Sequence, residues 1–197
     1  MNIVARVQAI LLKPKEEWVK IKAESTPIPQ LFLGYAALLA AIPAIAQFIG
    51  YGLIGTRVLT FGLIRMGIGQ ALFRAILYYV TALLSAYVFG IVINALAPSF
   101  GSKPSLDNAM KLAVYSMTPA WIGGVFYIIP ALSILATIAS LYGLYVLYLG
   151  FDSPMMETPK DKVVGYAVVS FIVVIVIMVV ISVVLGLIFV FGRAPII

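Results

Sequence analysis

LYGLYVLYLGFDSPMMETPKDKVVGY, residues 141–166, is the stretch whose reading decides the fold. Leu141 to Gly150 is uncharged and carries Tyr142, Tyr145 and Tyr148 at steps of three, as the end of an apolar helix does where it nears a membrane surface. Phe151 to Glu157 is a short polar elbow. Thr158-Pro159-Lys160-Asp161 then has the marks of a helix start: a hydroxyl at the N-cap, proline in the first turn and an acid three residues on. From Val163 an almost unbroken Val and Ile run begins. One membrane span therefore ends in this stretch and another begins.

Outward from it, the whole chain fits the same reading. Of the 197 residues, 63% are hydrophobic and only 10% charged, and the mean hydropathy is +1.14, far from the balance of a soluble domain. The expected fold class is all-α, a polytopic bundle of five transmembrane helices with a short amphipathic helical head. The head is residues 1–29 and the membrane domain 30–197, with spans at about 30–54, 71–97, 106–128, 131–150 and 163–191. Ala44-Ile45-Ala46 resembles a signal cleavage site, but Glu16, Glu17 and Glu24 precede it, so the first apolar run is expected to stay as a span.

In the head, Ile3, Val7, Ile10 and Leu11 share one helical stripe, and Pro14 opens a second helix with Glu16 and Glu17 in its first turn. Trp18, Lys20 and Lys22 suit a helix lying in the headgroup layer; the same pattern suits a helix packed on the mouth of the bundle. The spans carry small residues at steps of four: Ala36, Ala40 and Ala44 in the first, Ala82, Ala86, Gly90 and Asn94 in the second, Ser116, Ala120 and Gly124 in the third. Such edges are seams for close helix contact. Asn94 reads as structural glue on its seam or, in the sharper reading, as a contact to a substrate. The fifth span lacks such an edge and is expected at the lipid-facing periphery. Residues 50–70, glycine-dotted and apolar with Arg57 and Arg65, are expected at the outer interface without legible secondary structure.

Chemistry is scarce. The chain has no cysteine and no histidine, which removes thiolate ligands, disulfides and the commonest general base. No catalytic, cofactor-binding or metal site is expected. The acids lie in the head, in loops and at helix starts, which argues against an ion-coupled transporter. The net charge of +6 comes from residues flanking apolar runs, so the expected partners are the bilayer and other membrane proteins, including copies of this chain, and not nucleic acid. Tyr142, Tyr145, Tyr148, Lys160 and Lys162 are read as interface anchors. The alternative to a contact-making protein is a passive conduit with a polar cleft at Gln47, Asn94 and Thr118, joined by Ser116 and the tyrosine stripe. One side of the bundle carries nine basic residues (Arg6, Lys13, Lys15, Lys20, Lys22, Lys103, Lys111, Lys160, Lys162) and the other four (Arg57, Arg65, Arg74, Arg193). This excess predicts a multi-pass cell membrane protein with a cytoplasmic N-terminus and an external C-terminus.

Ala113-Val114-Tyr115-Ser116-Met117-Thr118-Pro119-Ala120, the LYGLYVLYLG run at 141–150 and Pro159-Lys160-Asp161-Lys162-Val163-Val164-Gly165-Tyr166 together resemble the bacterial and archaeal branch of the Yip1 family. The LLKPKEEWVKI stretch at 11–21 fits too. The resemblance implies five spans, a cytoplasmic N-terminus and a part in membrane organisation or trafficking. Eukaryotic relatives bind Rab-type GTPases, but the long polar cytoplasmic region of those relatives has no counterpart here, and the elbow reads Phe151-Asp152-Ser153-Pro154 where an apolar segment is expected. GTPase binding is not carried over.

Overall fold

The structure is a computed structural model that describes residues 2–58, 62–152 and 155–191. Ser153-Pro154 of the elbow and Arg193 of the charge count lie outside the described residues. Two short helices form the head. α1 (Ile3–Leu12) is capped by Asn2, whose side chain accepts from the Ala5 amide at 3.1 Å. α2 (Pro14–Ala23) starts on Pro14, with Glu16 and Glu17 at its positive end and Lys20 and Lys22 in its last turn. The first long segment, Ile28–Ile54, joins α3 (Ile28–Leu31) to α4 (Ala37–Gln47) through a wide π-type turn at Phe32–Ala36, and ends in another at Phe48–Ile54. Pro43 sits inside α4, which stays helical across it while the loosened turns lie on either side.

The 50–70 connection contains a small antiparallel ribbon, β1 (Thr56–Val58) paired with β2 (Gly62–Ile64) in the register Thr56 to Ile64. It is tied to the first segment by Met66 N–H donating to Tyr51 O at 3.0 Å, and the Arg74 guanidinium stacks over the Tyr51 ring at 4.8 Å. α5 (Ile68–Leu96) then runs back to the head end. There Tyr166 of α9 (Val163–Phe191) donates its hydroxyl to Ile93 O and stacks on Phe100 with ring centroids 4.9 Å apart, clamping the last helix to α5.

The third expected span departs from expectation. Four segments among the described residues are long and apolar enough to cross a membrane: Ile28–Ile54, Ile68–Phe100, Pro130–Asp152 and Val163–Ile181. Residues 106–128 are not one of them. They form α6 (Leu106–Ser116), a break at Met117, α7 (Thr118–Gly123) and a tight 3-10 stretch at Gly124–Ile128. This interrupted segment still travels the length of the bundle. Asn108 touches the elbow, donating to Met155 O at 3.1 Å, while Gly124 abuts Pro43 near the opposite end of α4. Ala109 to Ser116 are all buried, so α6 is the core around which the lipid-facing helices pack. A segment shielded by protein needs neither ~20 apolar residues nor unbroken helix, because its backbone and Lys111 find partners inside the fold. α8 (Ser133–Asp152) completes the return to the head end.

Candidate functional site

At the head end, α1 and α2 fold against the bundle, and their polar residues turn inward. Arg6 on α1 splits its guanidinium between two acids of α2 and its C-cap, one nitrogen donating to Glu17 Oε1 and the other to Glu24 Oε1. The Arg6 and Glu17 side chains are each only 7% exposed. Lys20 Nζ lies 3.4 Å from the second Glu17 oxygen. Burial by itself lowers the Arg6 pKa, but its bond to Glu24 and the fields of Glu24 and Glu17 outweigh it, and the guanidinium is held above its ordinary value. It also sits 5.6 Å over the Tyr115 ring of α6, a cation on an aromatic face.

Beneath this network the head is keyed into the membrane helices. The Trp18 ring, 1% exposed, donates from Nε1 to Val146 O of α8 at 3.0 Å and meets Tyr115 edge-on at 6.4 Å. Gly150 makes room for it: a Cβ there would lie 2.9 Å from the Trp18 ring and 2.2 Å from Leu112 Cδ1. Tyr142 donates its hydroxyl to Leu11 O of α1 at 2.8 Å. Lys111, 3% exposed, reaches from α6 to the carbonyls of Ile21, at 3.2 Å, and Glu24, supplying donors where the end of α2 leaves orphan acceptors.

The elbow is held in the same junction. Met155 O accepts from Lys22 Nζ at 3.0 Å and from Asn108 Nδ2 at 3.1 Å, and Lys103 N–H donates to Met156 O at 3.0 Å. Glu157 adopts a left-handed backbone, φ 53°, and pairs with Lys22 at 3.6 Å and Lys103 at 3.8 Å. Ser102 donates to the Thr158 hydroxyl at 2.9 Å, so this hydroxyl is tied to the loop before α6. Head, loop and elbow thus form one polar knot, over which a cleft of about 620 Å3 opens between Arg6, Glu17, Lys20, Glu24 and Gln30. Glu17 and Glu24 both face cations within it. Such an arrangement positions charge and does not free a base for proton transfer.

The Yip1 domain family matches residues 9–189. The chain belongs to the Yip1 domain family. The match spans α2, the elbow and the long helices of this Yip1 domain, and begins after Arg6. It is also similar to "Inner membrane protein YohC" of Escherichia coli K12 and of Escherichia coli O6:H1, each 30% identical over 153 residues, covering 76% of this chain and 78% of the relative. No solved structure matches.

In this Yip1 domain the residues singled out by sequence fall into three groups. The small-residue seams are used inside the protomer. Ala36, Ala40, Ala86, Gly90, Ser116 and Gly124 are buried, and a Cβ on Gly90 would lie 2.4 Å from Met110 Sδ, one on Gly124 2.4 Å from Pro43 Cβ. Ala82 and Ala120 are half-buried beside a cleft described below. The anchors divide: Tyr145, Tyr148, Lys20, Lys160 and Lys162 are exposed, whereas Trp18 and Tyr142 are not free to sit in a headgroup layer. Trp18 is buried on α8 because its indole finds a carbonyl partner there, so the reading of a head packed on the bundle replaces that of a head lying in the interface.

The expected polar cleft does not assemble. Gln47 lies at the end of α4 remote from the head, Asn94 near the head end of α5, and Thr118 shares a 2.8 Å hydrogen bond with Tyr35 in the core. Asn94 Oδ1 is buried with no hydrogen-bond partner among the described residues. Sequence reasoning missed the Arg6, Glu17, Glu24 and Lys111 network. The available signal was Lys111, a charge in the second turn of α6, past the first-turn Asp107 and Asn108, where a loop charge does not belong.

Proposed function

We propose that this Yip1 domain protein is a non-enzymatic, multi-pass inner membrane protein that organises the bilayer or a membrane complex through lipid and protein contacts. Its head and elbow form the cytoplasmic contact surface. The observation that carries this reading is the locked junction itself. Arg6, Glu17, Glu24 and Lys111 are engaged in holding the head on the bundle, and the surface they shape is a mixed-charge cleft with its carboxylates paired. The printed name of the similar Escherichia coli proteins supports the inner membrane, and the excess of Lys and Arg at the head end supports a cytoplasmic N-terminus. Because the small-residue seams are occupied within the protomer, self-association would use the exposed outer faces of α5 and α9, where Phe73, Ile76, Val80, Val176 and Val179 project.

Two measurements test it. The chain lacks cysteine, so single-cysteine variants at Lys103 and Arg65 report sidedness in intact cells: the first should be shielded from an impermeant maleimide and the second labelled. The reverse pattern overturns the orientation. Native purification of the wild type and of Lys111→Met, which frees the end of α2, should show membrane partners or tightly held lipids retained by the first and lost from the second. An identical set from both, with both monomeric, overturns the role given to the junction.

A further inference from the structure

Near the middle of the bundle, where α6 breaks at Met117, a chamber of about 440 Å3 opens between α5, α6, α7 and α8. Trp121 and Gly143 form part of its wall. A second chamber of about 570 Å3 continues outward along α9, past Val174, Met178 and Val183. The two share Thr81, Ser85, Met117 and Phe171, so they form one continuous cleft with a neck at these residues. Thr81 and Ser85 stand in the middle of the 29-residue α5, which puts the neck near mid-depth of the hydrocarbon. The outer wall is lipid-facing: Ile175 and Val179 are 45% and 55% exposed. The inner volume alone falls within the roughly 300–1,000 Å3 of small-molecule sites.

The hydroxyls in the lining decide what fits. Ser116 donates to Ala113 O at 3.0 Å and Ser140 to Ala136 O at 2.9 Å, so the protons of both are spent inside their own helices. Water held in such a place needs 2–4 polar partners; the other hydroxyls of the lining, Tyr78, Thr81 and Ser85, all stand on α5, and the wall away from them, Phe89, Trp121, Leu144 and Leu147, is apolar. An acyl chain needs none, and it restores the dispersion contacts that an empty apolar wall forfeits. The open side faces the bilayer, from which chains are supplied. We propose that this cleft holds one acyl chain of a bilayer lipid, entering between α5 and α9 through the Thr81 and Ser85 neck and ending against Trp121. The assignment rests on the cleft alone and is independent of the role given to the head.

Trp121, 3% exposed, is a reporter built into the site. The protein in maltoside micelles is titrated with phosphatidylcholine brominated at mid-chain, and tryptophan quenching is followed for wild type and Trp121→Phe. The expected result is saturable quenching that is lost in Trp121→Phe, while the emission of Trp18 reports an intact head. Ser85→Phe and Thr81→Leu, each adding bulk at the neck, should each weaken the apparent affinity for brominated lipid roughly tenfold. Quenching that never saturates, or that survives both substitutions unchanged, overturns the proposal. So does quenching of Trp121 by aqueous iodide in place of brominated lipid, which would make the cleft a hydrated path. A disulfide-linked dimer formed through Ser85→Cys would put a second copy there and overturn it equally.

Discussion

Arg6 and Glu17 provide the sharpest test of what holds the head. Both side chains are 7% exposed, and Arg6 also reaches Glu24, whose side chain is 40% exposed. Arg6→Met leaves Glu17 buried with only Lys20 at 3.4 Å, a partner that is itself 66% exposed. Breaking a buried pair from one side costs about 3–5 kcal/mol, and the partial rescue by Lys20 places this variant near the lower end, about 3 kcal/mol or roughly 100-fold in the folding equilibrium. Glu17→Leu leaves Arg6 with Glu24 and should cost less, about 1.5 kcal/mol. Removing both charges together leaves neither member of the pair buried without its partner, and the double variant Arg6→Met, Glu17→Leu should lose only about 1.5 kcal/mol, a coupling of about 3 kcal/mol. Reversible unfolding by dodecyl sulfate in mixed micelles, followed by tryptophan emission, measures all four proteins. A double variant whose loss equals the sum of the singles within about 0.5 kcal/mol would refute the buried-pair argument.

Two further outcomes follow from the same junction. Gly150→Ala places a Cβ 2.2 Å from Leu112 Cδ1 and 2.9 Å from the Trp18 ring, so it should destabilise by about 1–3 kcal/mol and shift Trp18 emission to the red as the head lifts; unchanged emission would show that the head does not bear on α8. At Glu157 the left-handed backbone separates two substitutions that lose the same exposed ion pairs: Glu157→Gly should unfold at a higher dodecyl sulfate fraction than Glu157→Ala, by about 1 kcal/mol, and equal midpoints would remove the strain.

How much of this was legible in sequence varies by element. The elbow and the long apolar helices are local properties, written in runs of neighbouring residues; the helix start read at Thr158 was not, for α9 begins at Val163 and the Thr158 hydroxyl accepts from Ser102 instead. Composition and hydropathy alone placed the chain in a membrane, and the motifs around Tyr115, Tyr145 and Pro159 pointed to the family that residues 9–189 match. The head was legible only as two helices. An apolar stripe with Trp18 looks the same whether it faces lipid or protein, because amphipathic periodicity records which side is apolar and not what covers it. Residues 106–128 were read as one membrane span, kinked at Pro119, for a related reason: small apolar residues suit a lipid-crossing helix and a broken, protein-covered one alike.

What the sequence determined by itself is therefore the solvent, the long helices and the family, since each depends on residues close together in the chain. What only the tertiary structure decided is which polar groups meet. Arg6 finds Glu17 and Glu24 because α1 and α2 fold against each other, and Lys111 finds Ile21 O 90 residues away because α6 runs through the centre of the bundle. Trp18 and Val146 are brought together across 128 residues. Those meetings depend on how helices pack in three dimensions, where burial raises the stakes of every unpaired charge, and no one-dimensional spacing encodes them.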